Sequence, residues 1–177
     1  QSVNLSFLSG CRPWAKASGK TSGVARKSEM PGCRPWAKAS GKRLPALQSV
    51  HLNFRDCEKI GDAGLQALGQ GLGRLPALQS VHLCFAGCEE IGNAGLQALG
   101  QGLRQLSALQ SVNLSFSFCR KIGDAGLQAL GQCLGRLPAL QSVNLNFWGC
   151  KKIGGAGLQA LGQGLGQLSA LQSVHLG

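Results

Sequence analysis

The chain has 177 residues and a formal net charge of +11, with 18 Lys and Arg against 7 Asp and Glu. It contains no run of 18 apolar residues, and its first residues lack the basic-then-apolar order of a signal peptide. A membrane span and secretion are therefore not supported, and the expected location is cytoplasmic or nuclear.

In chain order, the first element is a strand in Gln1-Ser-Val-Asn-Leu-Ser-Phe7, which reads as part of a repeat unit covering residues 1–11. Residues 12–42 are different. The eleven residues GCRPWAKASGK occur at Gly10 to Lys20 and again at Gly32 to Lys42, joined by TSGVARKSEMP. Between positions 11 and 43 nine basic residues face the single Glu29, so this stretch holds +8 of the +11. Rich in Gly, Ser, Ala and Lys, it has too few large aliphatic side chains to offset its ordering entropy, and is expected to be an irregular basic insert. Trp14 and Trp36 among its cations make nucleic acid or an anionic surface a possible partner for this segment, though not the favoured one.

From residue 43 to 177 the chain repeats. Leu47, Leu78, Leu109, Leu140 and Leu171 lie 31 residues apart, each followed by Gln-Ser-Val, which gives four full units and a terminal partial strand. A period in the range of 20–50 residues means a stacked array. The chain starts without Met and stops inside a unit, so further repeats are expected at both ends.

Each unit changes period along its length. Val50, Leu52 and Phe54 alternate with Ser49, His51 and Asn53, the pattern of a half-buried strand, and strands are expected near 48–53, 79–84, 110–115, 141–146 and 172–176, in one parallel sheet. After Cys57 and Ile60 comes a short helix with Leu65, Leu68 and Leu72 on one face and Asp62 as its expected N-cap, matched by Asn93, Asp124 and Gly155. Gly64, Gly69 and Gly71 each cost that helix about 1 kcal/mol relative to Ala. The helix thus depends on its neighbours, and its glycines let adjacent backbones approach. The counterpart of Gly71 is Cys133 and that of Gly73 is Arg104, so neither position requires a left-handed backbone.

The signature LQSVHLNFRDCEKIGDAGLQALGQGL resembles the leucine-rich-repeat family over about three quarters of the chain. It is most similar to the cysteine-containing class found in F-box substrate receptors, and GAGLQALGQGL is similar to ribonuclease-inhibitor-like repeats. The unit is longer than that cysteine-containing class, with two extra residues between Leu52 and Cys57. The resemblance implies an α/β solenoid with a curved parallel sheet on its concave face and short helices on its convex face. It also implies a protein-interaction scaffold, with substrate recognition in a ubiquitin ligase as one form of that role.

No catalytic or cofactor constellation emerges, and the chain is read as a non-enzyme. Gly19-Lys20-Thr21 matches the end of a phosphate-binding loop, but the position where that loop needs Gly is Trp14. Gly69-x-Gly71-x-Gly73 ends a helix instead of opening one, which disqualifies it as a dinucleotide fingerprint. Cys57, Cys88, Cys119 and Cys150 share one position in successive units and lack the C-x-x-C pairing of zinc sites, so they are expected to form a buried, reduced column. A purely apolar layer there ranks stability as Cys above Ala above Ser at position 119.

Because the units are nearly identical, the positions that differ locate surface that packing does not dictate. These run from the open strand face, with His51, Asn53, His82, Asn113 and Asn144, into the following turns, with Arg55, Phe118, Arg120, Lys121, Trp148, Lys151 and Lys152. These twelve residues are the candidate partner-binding set, and the expected partner is another protein. Six strands at about 4.8 Å spacing and three exposed positions each give a strand face of a few hundred Å². A standard interface needs about 800 Å² per partner. The turns must therefore contribute.

Overall fold

The computed structural model describes residues 2–8, 12–14 and 47–177. Its strands are β1 (Ser2–Leu8), β2 (Arg12–Trp14), β3 (Ser49–Asn53), β4 (Ser80–Cys84), β5 (Ser111–Ser115), β6 (Ser142–Asn146) and β7 (Ser173–Leu176). Four helices, α1 (Asp62–Leu72), α2 (Asn93–Leu103), α3 (Asp124–Leu134) and α4 (Gly155–Leu165), follow β3 to β6 in turn. The sheet order is β2-β1-β3-β4-β5-β6-β7. All neighbours from β1 to β7 are parallel and in repeat register, as in Val50↔Val81↔Val112↔Val143↔Val174. The chain is thus an α/β solenoid, and its strands start and end within one residue of the expected positions.

One expectation is corrected at the edge. Arg12–Trp14 pair antiparallel with Ser6 to Leu8 as β2, where irregular chain was expected from Arg12 onward. Backbone groups left open along the outer edge of β1 offer that segment a ladder, which composition alone does not register. The remainder of the basic insert lies outside the described residues.

The core follows from the period of two. Val50 and Leu52 and their equivalents in β4 to β6 point inward, where they meet Leu65, Leu68 and Leu72 of α1 and their buried equivalents in the later helices. Phe54, Phe85, Phe116 and Phe147 stack as a column with ring centroids 5.2, 5.3 and 5.7 Å apart. The backbone ladder continues past the strands into the turns. Phe54 N–H donates to the Cys84 carbonyl and Asp56 N–H to that of Ala86, both at 2.7 Å, and the later repeats do the same.

Beneath the phenylalanines lie Cys57, Cys88, Cys119 and Cys150, all buried. The column is not simply apolar. Each of the last three donates its Sγ–H to the Phe carbonyl of the preceding unit: Cys88 to Phe54 at 3.1 Å, Cys119 to Phe85 at 3.2 Å and Cys150 to Phe116 at 3.1 Å. Burial pushes the Cys88 thiol up to about 12 and raises those of Cys119 and Cys150, so all three stay protonated donors at neutral pH. A serine hydroxyl at position 119 inherits that acceptor, whereas alanine leaves the Phe85 carbonyl with the Cys88 N–H as its one donor. The expected order is therefore Cys above Ser above Ala, with each replacement costing about 1–2 kcal/mol. Urea melts of the two variants test it, and a serine variant weaker than the alanine variant would return the layer to plain apolar packing.

The helix starts also differ from expectation. Gly61, Gly92, Gly123 and Gly154 hold the N-cap positions in extended conformation, and Asp62 is the first helical residue. Its carboxylate leaves its own helix and accepts the Gly92 N–H of the next unit at 2.7 Å. Asn93 does the same for Gly123 at 2.8 Å and Gly126 at 3.2 Å, and Asp124 for Gly154 at 2.6 Å. Capping thus runs between repeats. The side chain projects along the solenoid axis, toward amides that only stacking supplies. The helix ends bear out the reading of the glycines: Gly73 and Arg104 both close their helices with φ near the right-handed region, at −58° and −56°.

Glycine does its work between helices. A Cβ built on Gly102 would run into the Gly69 carbonyl of α1, and one on Gly164 into the Gly131 carbonyl of α3. These contacts set α1 against α2 and α3 against α4. Between α2 and α3 the equivalent position is Cys133, whose Cβ and Sγ would lie 3.1 and 3.2 Å from a Cβ on Gly100. Backbone contact at two junctions is replaced by a thiol side chain at the third.

Candidate partner-binding surface

The pleat that buries Val50 and Leu52 turns His51 and Asn53 outward, and the parallel register lines them up with their equivalents. His51 stacks on His82 with ring centroids 3.9 Å apart and planes 16° from parallel. His82 is in turn paired with Asn113, and Asn113 with Asn144, so four of the expected strand-face residues form one row, while Asn53 begins a second with Cys84, Ser115 and Asn146. All are half-buried. The surface they make is polar and lacks a large apolar side chain.

The row has a pH consequence. Burial first, and the neighbouring His51 second, lower the His82 pKa below its ordinary value of 6.5. The folded chain then binds that proton less readily than the unfolded chain. This contribution to stability is full above about pH 6.5 and is lost as pH falls below it. Thermal melts between about pH 7 and about pH 5 should fall more steeply for the natural chain than for His82→Asn, which carries the side chain of positions 113 and 144. Parallel melting curves for the two would show that the stack is indifferent to protonation.

The turns hold the other seven candidates. Arg55, Phe118, Arg120, Lys121, Trp148, Lys151 and Lys152 are all exposed. Asp56, Gly87, Phe118 and Gly149 occupy one position in successive turns, and all four have positive φ, between 57° and 79°. A non-glycine side chain there is uncommon, and for a bulky one it is strained. Where the residue is large, the next unit has glycine beneath it: Asp56 lies over Gly87, and the Phe118 ring over Gly149. Phe118 then meets Trp148 edge-on, with centroids 4.7 Å apart and planes at 88°. Asn146 fixes this corner by accepting from Trp148 N–H at 3.0 Å and Ser117 Oγ–H at 2.9 Å.

The charges of the turns pair across repeats. Lys121 Nζ lies 2.6 Å from Glu90 Oε2, and Arg120 Nε lies 3.6 Å from Glu89 Oε1. Exposed pairs of this kind stabilise little, but they take two of the candidate cations out of the free surface charge. Among the described residues Lys151 and Lys152 make no ion pair. Asp56, Glu58, Glu89 and Glu90 surround an open depression against Phe118 and Arg120. The candidate set lacks Asn146 and these four acids. The 31-residue offset from Glu89 to Arg120 and from Glu90 to Lys121 was the signal that could have found the ion pairs.

Among the described residues no group of three or more His, Cys, Asp or Glu side chains is arranged to hold a metal ion, and no helix is long and apolar enough to cross a membrane. The arrangement offers hydrogen-bonding side chains on a rigid face, an exposed aromatic corner and separated charges, which is the chemistry of recognition. No curated protein matches the chain. A family model described as Leucine Rich repeat matches residues 50–69 and 109–131, which run from strand into helix in the first and third full units, and with the single parallel sheet and its helices it supports assignment of this solenoid to the leucine-rich repeats.

Proposed function

We propose that this chain is a protein-recognition module that engages its partner with the strand row and the turn ridge together, and that it performs no catalysis. Leucine-rich repeats generally mediate protein interaction and are typically non-catalytic. The observation that carries the reading is the exposed Phe118 and Trp148 corner, held by strained backbone above a core that is otherwise the same from unit to unit. Aromatic side chains beside charges are favoured binding hot spots. The similarity to F-box substrate receptors supports a finer form of the proposal, recognition of substrates for a ubiquitin ligase. Thiols engaged as donors in the core suit a cytoplasmic or nuclear setting, where cysteine stays reduced.

Binding of nucleic acid through residues 12–42 is the competing reading, and deletion of Arg12 to Lys42 separates the two. The full chain and the deletion variant are each used to select from a phage-displayed random peptide library. Each is also titrated with a fluorescein-labelled single-stranded oligonucleotide at low and high salt. The proposal expects both proteins to enrich the same peptides. Enrichment that vanishes with the insert, or salt-sensitive oligonucleotide binding as the sole activity, would contradict it.

A further inference from the structure

The turn ridge carries more information than a general binding surface, and the following step rests on the recognition reading above. Phe118 is 41% exposed and Trp148 64%, and they touch each other in adjacent turns. Lys151 and Lys152 belong to the same turn as Trp148 and make no ion pair among the described residues. Asp56 and Glu58 line the depression that ends at Phe118, and they too make no ion pair among the described residues, while Glu89 and Glu90 are engaged by Arg120 and Lys121. The middle of the ridge is thus neutralised internally, while Asp56 and Glu58 line the depression at one end, from whose lining Arg55 and Lys59 of the same turn are absent, and Lys151 and Lys152 stand at the other.

We infer that the ridge binds an extended peptide segment of a partner protein that is acidic at one end, basic at the other and apolar between them. Its acidic side chains face Lys151 and Lys152, its apolar side chain packs on Trp148 and Phe118, and its basic side chain reaches Asp56 and Glu58. Charge complementarity at both ends fixes direction as well as class, since a reversed peptide sets like charges together. Length follows from the repeat. The turns containing Asp56 and Trp148 are three units apart, about 14 Å at about 4.8 Å per parallel strand, which an extended segment covers in about four residues. A nucleic acid strand, negative throughout, meets four carboxylates in the depression and a single cation, Arg120, already paired with Glu89.

The peptide library selected on the full chain tests this. The expected consensus has an acidic and a basic position about four residues apart, with an aromatic or aliphatic residue between. Synthetic copies of the consensus should lose at least about tenfold in affinity on Trp148→Ala. A fresh selection on Lys151→Glu with Lys152→Glu should replace the acidic position by a basic one, and circular dichroism melts confirm that both variants fold. A consensus without opposed charges, or one unchanged by the charge reversal, overturns the inference. Peptides that bind equally well to the Trp148→Ala chain but are lost on His51→Ala or Asn144→Ala would leave the recognition reading standing and sink the ridge. Failure to enrich any peptide would count against both.

Discussion

Replacing Gly102 with alanine is expected to destabilise the chain by about 3 kcal/mol, although alanine is the better helix former by about 1 kcal/mol. The two effects have opposite signs, which makes the substitution informative. Gly102 is buried in α2, and a methyl group there would occupy the space of the Gly69 backbone, with the carbonyl, C and Cα atoms all in its way. Neither neighbour is a flexible side chain that can rotate aside. Accommodation requires α1 and α2 to separate, which exposes Leu68 and Leu99 at the junction or strains the strands tied to the same units. Gly162 in α4 is the matched control, since a Cβ there meets nothing within 4 Å. Gly162→Ala should be neutral or stabilise by up to about 1 kcal/mol. Chemical denaturation of the two variants measures the contrast. Equal small effects would show that the helices are not held at backbone distance.

Truncating Phe116 to alanine should cost about 3–5 kcal/mol. Its ring is fully buried between Phe85 and Phe147, at 5.3 and 5.7 Å, and contributes to two of the three stacked pairs of the column. Removal leaves a cavity walled by strands on a fixed repeat spacing, which cannot close on it without breaking register on both sides. Phe147→Ala should cost less, because Phe147 is only half-buried and has one stacked neighbour. Denaturation midpoints of the two variants give the comparison. A Phe147 variant as weak as the Phe116 variant would mean that the column contributes by area alone and not by enclosure.

The parts of the structure legible in the sequence are those fixed by position within a unit. An unbroken 31-residue register forces Val50, Val81, Val112, Val143 and Val174 into one row, and the period of two decides that His51 and its equivalents face out. The same register brings Cys57, Cys88, Cys119 and Cys150 into one buried layer. The parts that were hidden are interactions directed along the solenoid axis. Asp62 is a good local N-cap by residue type, yet its acceptor oxygen serves an amide 30 residues away. The cysteines read as apolar because residue type says nothing about the carbonyl that the preceding unit presents to Sγ. Positive φ at Asp56 and Phe118 was concealed because only Gly87 and Gly149 advertise that conformation.

The candidate surface divides along the same line. Exposure of the turn residues followed from their variability between units, and all seven are exposed. Their grouping did not follow. Of the five candidate cations of the ridge, Arg120 and Lys121 are neutralised by glutamates one unit earlier, while Arg55, Lys151 and Lys152 make no ion pair among the described residues. Likewise, the edge-on contact of Phe118 with Trp148 depends on the left-handed turn that swings the Phe118 ring over Gly149.

The central claim is that recognition belongs to the strand row and turn ridge of the repeats. Hydrogen exchange of the full chain, with and without saturating amounts of a peptide selected from the library, tests it most directly. The account predicts added protection in the turn segments 55–59, 86–90, 117–121 and 148–152, with the amides of α1 to α4 unchanged. Added protection confined to residues 12–42, or to the helices on the opposite face, would contradict it.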